Sequence, residues 1–253
     1  PSAEILKQEI QNQFGINVVA WQGVEFPERF MYLSKQTISV MPLAMRTALR
    51  FVVLSPPTAD HADNFGGLYA LDNKGQIAVL ADPNVGYSRF TYVFMHETGH
   101  AWQIHGQGLI QSVAPQFVSQ AILSANECKI QSEGICDSSS DFYYCKRLPN
   151  GQFCDATVSY FSYYGATSNP MEDFAEFVAI WMTDSQNLWN EAQQLAAEGY
   201  PGRLQKLRIG LELFVEGNQI LVYKTHGDGI PTVEKKSLTR AQNAPYQITS
   251  INF

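Results

Sequence analysis

The feature that most constrains this chain is His96-Glu97-Thr98-Gly99-His100, two histidines enclosing a glutamate. Residues four apart share one face of an α-helix, so both imidazoles reach a single ion only if this stretch is helical. Zinc ligands sit at about 2.0–2.1 Å, so the fold must hold that helix firmly and bring a further ligand to it. Glu97 follows His96 directly and can reach a water on the ion without ligating it, which is where a general base belongs. With 5 His among 253 residues, chance produces the pattern about once in two hundred chains, so it is fairly specific. Gly99 supports the reading. A mid-helix glycine costs about 1 kcal/mol relative to alanine, and facing a metal or packing under another helix would explain it.

A catalytic zinc takes three protein ligands and a water, so one protein ligand is still missing. His105 lies five residues past His100, about 140° around the helix from it. Gln103 and Gly106 also break the extended three-histidine pattern. His61 and His226 sit in no ligand-like context. The better source is residues 169–181, Asn-Pro-Met-Glu-Asp-Phe-Ala-Glu-Phe-Val-Ala-Ile-Trp. Asn169 as N-cap and Pro170 at the first position predict a helix over 170–183. Glu172 and Glu176 share a face of it, while Phe174, Phe177 and Trp181 point elsewhere. Carboxylates on the buried side of an apolar helix need a partner, and zinc is one. Glu172 is the expected third ligand, and Glu176 the expected acceptor for a ligating histidine's second ring nitrogen. Glu172 also stands three residues after the N-cap, where it would fit a capping box instead.

The stretch Tyr164-Gly-Ala-Thr-Ser-Asn-Pro-Met-Glu172-Asp-Phe-Ala-Glu176-Phe177, downstream of residues 96–100, resembles the metallopeptidase family of anthrax lethal factor and the Pro-Pro endopeptidases. Those are gluzincins, whose third ligand is the first Glu of a Glu-x-Phe-Ala-Glu segment with a Tyr upstream near the zinc. The resemblance implies a zincin-like peptidase domain with His96, His100 and Glu172 as Zn²⁺ ligands. It implies Glu97 as the base and Tyr164 as a hydrogen-bond donor to the transition state. The Tyr-to-Glu interval is one residue longer than in the family, which leaves Tyr163 as an alternative to Tyr164. The interval from His100 to Glu172 is 172 − 100 = 72 residues, longer than the family's.

Most of that excess coincides with Cys128, Cys136, Cys145 and Cys154, all inside 27 consecutive residues. Their separations match no short-spaced zinc knuckle. Two disulfides stapling an insertion over 128–154 are expected, with three possible connectivities. Such bridges belong to an oxidising compartment. The opening Pro1-Ser2-Ala3-Glu4 carries no charged-then-apolar leader, so a mature secreted protein is expected.

Hydrophobic residues make up 45% and charged residues 16%, enough for a full core and too little charge for a disordered chain. With 17 Lys+Arg against 24 Asp+Glu, the net charge of −7 and the lack of a basic run argue against nucleic acid or anionic membrane as partners. The longest apolar run, residues 177–182, falls far short of the roughly 20 residues a membrane span needs. Without repeats or linkers, residues 1–253 read as a single α+β domain, with a small twisted early sheet, later helices and a β-containing tail over 219–253.

Helices are expected over 3–13, 90–105, 114–125, 170–183, 185–198 and 201–215. Strands are expected over 16–21, 37–40, 49–54, 220–223 and 246–251, with a hairpin of 67–71 and 76–80 around Asp72-Asn73-Lys74-Gly75. Strand 76–81, next before the zinc helix, is expected to offer an edge to an extended protein or peptide substrate. The function expected of the whole is zinc-assisted peptide hydrolysis. The alternative is a secreted binding or effector module that keeps zinc without cleaving, against which the presence of Glu97 argues.

Overall fold

A computed structural model describes residues 2–20, 28–55, 67–69, 75–130, 145–147, 149–167, 169–242 and 246–253. Helix α1 (Ala3–Phe14) starts where the Ser2 hydroxyl accepts from the Ile5 amide, buries Leu6 and Ile10, and stops at Gly15 with φ 70°. Strand β1 (Asn17–Ala20) leads to helix α2 (Glu28–Val40). The strand expected over 37–40 is the last turn of this helix. Thr37 and Ile38 are buried on the same face as Phe30, Met31, Leu33 and Ser34, and that packing overrides the strand preference of β-branched residues.

A short helix α3 (Leu43–Arg46) precedes β2 (Phe51–Ser55), β3 (Gly67–Tyr69) and β4 (Gln76–Leu80). These strands form a sheet in the order β1-β2-β4-β3, with β1, β2 and β4 parallel and β3 antiparallel to β4. The expected hairpin pairing is therefore present, with Gly67 opposite Val79 and Tyr69 opposite Ile77; residues 70–74 lie outside the described residues. Strand β4 is not an edge, because β3 covers it, so the expected substrate edge at 76–81 is corrected. Ile77 and Val79 face the core.

Helix α4 (Tyr87–His105) carries the His-Glu-x-x-His segment and packs on this sheet and on α2. Helix α5 (Ile110–Ser124) follows, and then the cysteine-bearing segment. Strands β5 (Lys129–Ile130), β6 (Cys145–Arg147) and β7 (Phe153–Asp155) make a small sheet with β7 in the middle. At its base Cys128 and Cys154 form a disulfide with Cα atoms 5.3 Å apart, the outermost pairing of the four cysteines. Cys136 and the side chain of Cys145 lie outside the described residues.

A 3₁₀ turn (Ala156–Ser159) and helix α6 (Tyr163–Thr167) return the chain to α7 (Pro170–Thr183), capped by Asn169 as expected. Helices α8 (Ser185–Ala197) and α9 (Gly202–Leu211) precede a second sheet. It comprises β8 (Val215–Glu216), β9 (Gln219–Thr225), β10 (Pro231–Arg240) and β11 (Ile248–Ile251), antiparallel throughout. Strand β10 has no counterpart in the sequence reading. Only Pro231 in it is buried, so its charged Glu234, Lys235 and Lys236 give no alternating apolar signal. Mixed helix and sheet in this arrangement is the α+β class expected.

The core is centred on α7. Phe117, Phe161, Phe174, Phe177 and Phe214 pack with ring centroids 5.2–6.0 Å apart, and the Trp181 indole N–H donates to the Leu221 carbonyl at 3.1 Å. Helices α4 and α7 approach closely at Gly99. A β-carbon there would lie 3.2 Å from Ala175 Cα and 3.3 Å from Val178 Cβ. Of the two roles open to this glycine, packing under another helix is the one the structure supports. Gly99→Val should therefore lower stability by about 1–3 kcal/mol through overpacking, read as a fall in the urea midpoint. An unchanged midpoint would mean the two helices can separate freely.

Candidate metal centre

Helix α4 presents His96 and His100 on the face that packs against α7. His96, Glu97 and His100 are 6%, 7% and 7% exposed. Glu172 enters from the first turn of α7, because Asn169 accepts from the Met171 and Glu172 amides and fixes where that turn begins. Its Oε2 lies 3.1 Å from His96 Nε2 and 3.0 Å from His100 Nε2. The third-ligand role and the capping role compete for this carboxylate, and the geometry turns it toward the two imidazoles.

The three ligand atoms lie within 4.8 Å of one another and form a group able to hold a metal ion. Tetrahedral zinc ligands stand about 3.3 Å apart, close to the two Glu-to-His separations seen. The charges fit as well. Glu97, Glu172 and Glu176 place three carboxylates around two imidazoles, and a divalent cation offsets that excess where protons otherwise must.

The pKa shifts follow from this crowding. Burial disfavours the His96 imidazolium, but contacts with Glu172 and Glu176 and the nearby Glu97 outweigh it and raise its pKa to about 9. Burial pushes Glu172 up, yet His100 and His96 overcome this and hold it at about 2. Burial raises Glu97; His96 and His100 oppose this in part, and Glu172 and Glu176 add to it.

Glu176 occupies the supporting position expected of it. Its Oε1 lies 2.7 Å from His96 Nδ1. Its Oε2 accepts from the Tyr92 hydroxyl at 2.7 Å, and the Ser162 hydroxyl also donates to it. Tyr92 went unremarked in the sequence, although it sits four residues before His96, where the same spacing rule places it on the ligand face. Ser162 carries no comparable signal, being one polar residue in an aromatic run.

Tyr164 lies on α6 with its ring 5.9 Å from that of His96, centroid to centroid, and tilted by 53°. The side chain of its alternative, Tyr163, lies outside the described residues, as does His61. His105 is at the far end of α4, beside a cavity of about 340 Å³ lined also by Thr47, Ala48, Arg50 and Gln107. His226 belongs to the β9–β10 turn, where its Nε2 meets the Thr232 hydroxyl at 3.3 Å. Neither joins the ligand group.

No family model matches the chain, and no curated protein or solved structure is significantly similar to it. The donor chemistry of His96, His100 and Glu172 is what suits this site to a metal. Wild-type protein should bind one zinc per chain and melt higher with it, the gain reaching about 2.7 kcal/mol at a free zinc concentration of 100 times Kd. Glu176→Ala should weaken zinc binding by about 10–100-fold, measured by competition with a chelator. Equal affinity in the variant would separate Glu176 from the metal.

Proposed function

We propose that the chain is a secreted zinc-dependent endopeptidase of the gluzincin kind. The observation that carries this reading is the convergence of His96 and His100 from α4 with Glu172 from α7, beside a buried Glu97 that is not one of the three. Two histidines and a carboxylate are the donor set of a hydrolytic zinc site, with a coordination position left for substrate or water. An ion held there supplies Lewis acidity toward a carbonyl oxygen and makes water a better nucleophile near neutral pH.

The remaining work falls to the chain's own side chains. Glu97 takes a proton from the attacking water and returns it to the leaving amine, as general base and then general acid. Tyr164, packed beside His96, donates its hydroxyl to the oxygen that gains charge in the transition state; losing one such donor typically costs about 10²–10³-fold. Glu176, held by Tyr92 and Ser162, fixes the orientation of the His96 ring. An extended peptide would pair with β3, which among the described residues ends the first sheet and packs on α4. The Cys128–Cys154 disulfide supports an oxidising compartment, and among the described residues no helix is long and apolar enough to cross a membrane.

The test is a mixed peptide library digested by wild type and by Glu97→Gln, with zinc content measured on both. Glu97→Gln should keep its zinc and lose at least about 10²-fold in turnover. Undiminished turnover would remove Glu97 as the base. Zinc without cleavage in wild type would favour a binding module over a peptidase.

A further inference from the structure

Behind the metal centre lies an ion pair that the ligand set does not use. Lys206 on α9 and Asp173 on α7 are both fully buried, with Nζ donating to Asp173 Oδ2. The ammonium sits among aromatic faces, 4.6 Å from the ring centre of Tyr160, 5.2 Å from Phe161 and 5.9 Å from Phe117. The other carboxylate oxygen of Asp173 accepts the Phe161 amide at 2.9 Å. Gly165 rests on the same side chain, so closely that a β-carbon there would lie 2.8 Å from Oδ1 and 3.1 Å from the Asp173 Cα.

These contacts hold residues 160–165 at both ends. Between them stand Ser162, which accepts the Gly165 amide at 3.0 Å and donates to Glu176, and Tyr164, which packs against His96. Asp173 is also the residue next to Glu172, so one turn of α7 presents a carboxylate to the metal site and another to α9. A buried ion pair is a poor source of stability, since an apolar pair of the same volume often serves as well or better. What it supplies is direction: the carboxylate has two oxygens, and Lys206 takes one so that the other meets a single backbone amide.

We propose that the Lys206–Asp173 pair is the positioning element of this site, setting residues 160–165 so that Tyr164 meets His96 and Ser162 meets Glu176. Neither residue touches substrate or ion. The inference rests on Tyr164 being the hydrogen-bond donor proposed above, and it adds the residues that put Tyr164 there.

The experiment places a fluorotyrosine at position 164 of the full-length chain and records its ¹⁹F resonance in zinc-loaded protein without substrate. Lys206→Met should shift or broaden the line, whereas Leu6→Ala, a core variant on α1, should leave it in place at a similar loss of melting temperature. In peptide assays Lys206→Met should lower kcat by about tenfold or more with little change in KM, because misplacing a reacting group by about 1 Å can cost up to 10²-fold. In a Tyr164→Phe background the same substitution should cost nothing further.

An unchanged fluorine line in folded Lys206→Met, or an equal kcat loss in both Tyr164 backgrounds, overturns the proposal. If Lys206→Met alone does not fold, Lys206→Met with Asp173→Asn serves for the same comparison. That pair removes both charges of the ion pair and keeps an acceptor for the Phe161 amide, and a wild-type-like line in it is equally fatal. Wild type that cleaves no peptide would sink the peptidase reading alone, because the fluorine comparison needs no turnover.

Discussion

The close crossing of α4 and α7 governs this structure. A metal centre assembled from two helices needs their backbones near enough for short side chains to converge, and here the distance is set at Gly99 against Ala175 and Val178. Small residues at the crossing bring His96 and His100 over the first turn of α7, where Asn169 fixes the helix start and so the phase of Glu172. One residue out of phase is about 100° around a helix, which would turn Glu172 away from both imidazoles. The apolar side of α7, with Phe174, Phe177 and Trp181, then holds that rotation by packing into the aromatic core.

The electrostatics work against the packing. Burying Glu97 and Glu176 beside an apolar core is costly unless each finds partners, and the partners found here are the imidazoles, the Tyr92 and Ser162 hydroxyls and, in the proposed reading, an ion. The raised pKa of His96 expresses the carboxylates gathered around it, and the lowered pKa of Glu172 expresses the two imidazoles it faces. Asp173 would have added a further carboxylate. Its pairing with Lys206 neutralises it locally.

What was legible in the sequence follows from how locally each feature is encoded. The helix of α7 is written in its cap and first-turn proline, and its bounds agree with the 170–183 expected. The i, i+4 histidines and the Glu172/Glu176 pair are periodic, so their faces could be assigned before the two helices were seen together. Helix α2 and strand β10 were missed because tertiary context decides them. Thr37 and Ile38 prefer strands but are held helical by burial, and β10 shows almost no buried face. The role of β4 was misjudged because sequence order says nothing of which strand ends a sheet. Lys206 was invisible for a related reason. A lysine on a helix reads as solvated, and only the fold brings it to Asp173 across 33 residues of chain.

The chain between His100 and Glu172 includes a segment, 128–154, that is closed off near its base. Cys128 and Cys154 stand 26 residues apart in sequence and are bridged, so for the rest of the fold the intervening chain is one fixed step; in the entropy model a closed loop of that size is worth about 3–4 kcal/mol. Both feet are tied to the same element. Glu127 accepts the Gly202 amide at 2.9 Å, and Arg203 donates to the Thr157 carbonyl at 2.6 Å, so the chain enters and leaves the segment at the start of α9. One turn further along α9, Lys206 meets Asp173. The helix that anchors this segment is therefore the helix that braces the site, and the eleven residues from Cys154 to Tyr164 are pinned at Thr157 and Phe161 on the way. Variation in length within 128–154 ends at the disulfide and at α9, before it reaches the tyrosine that packs on His96.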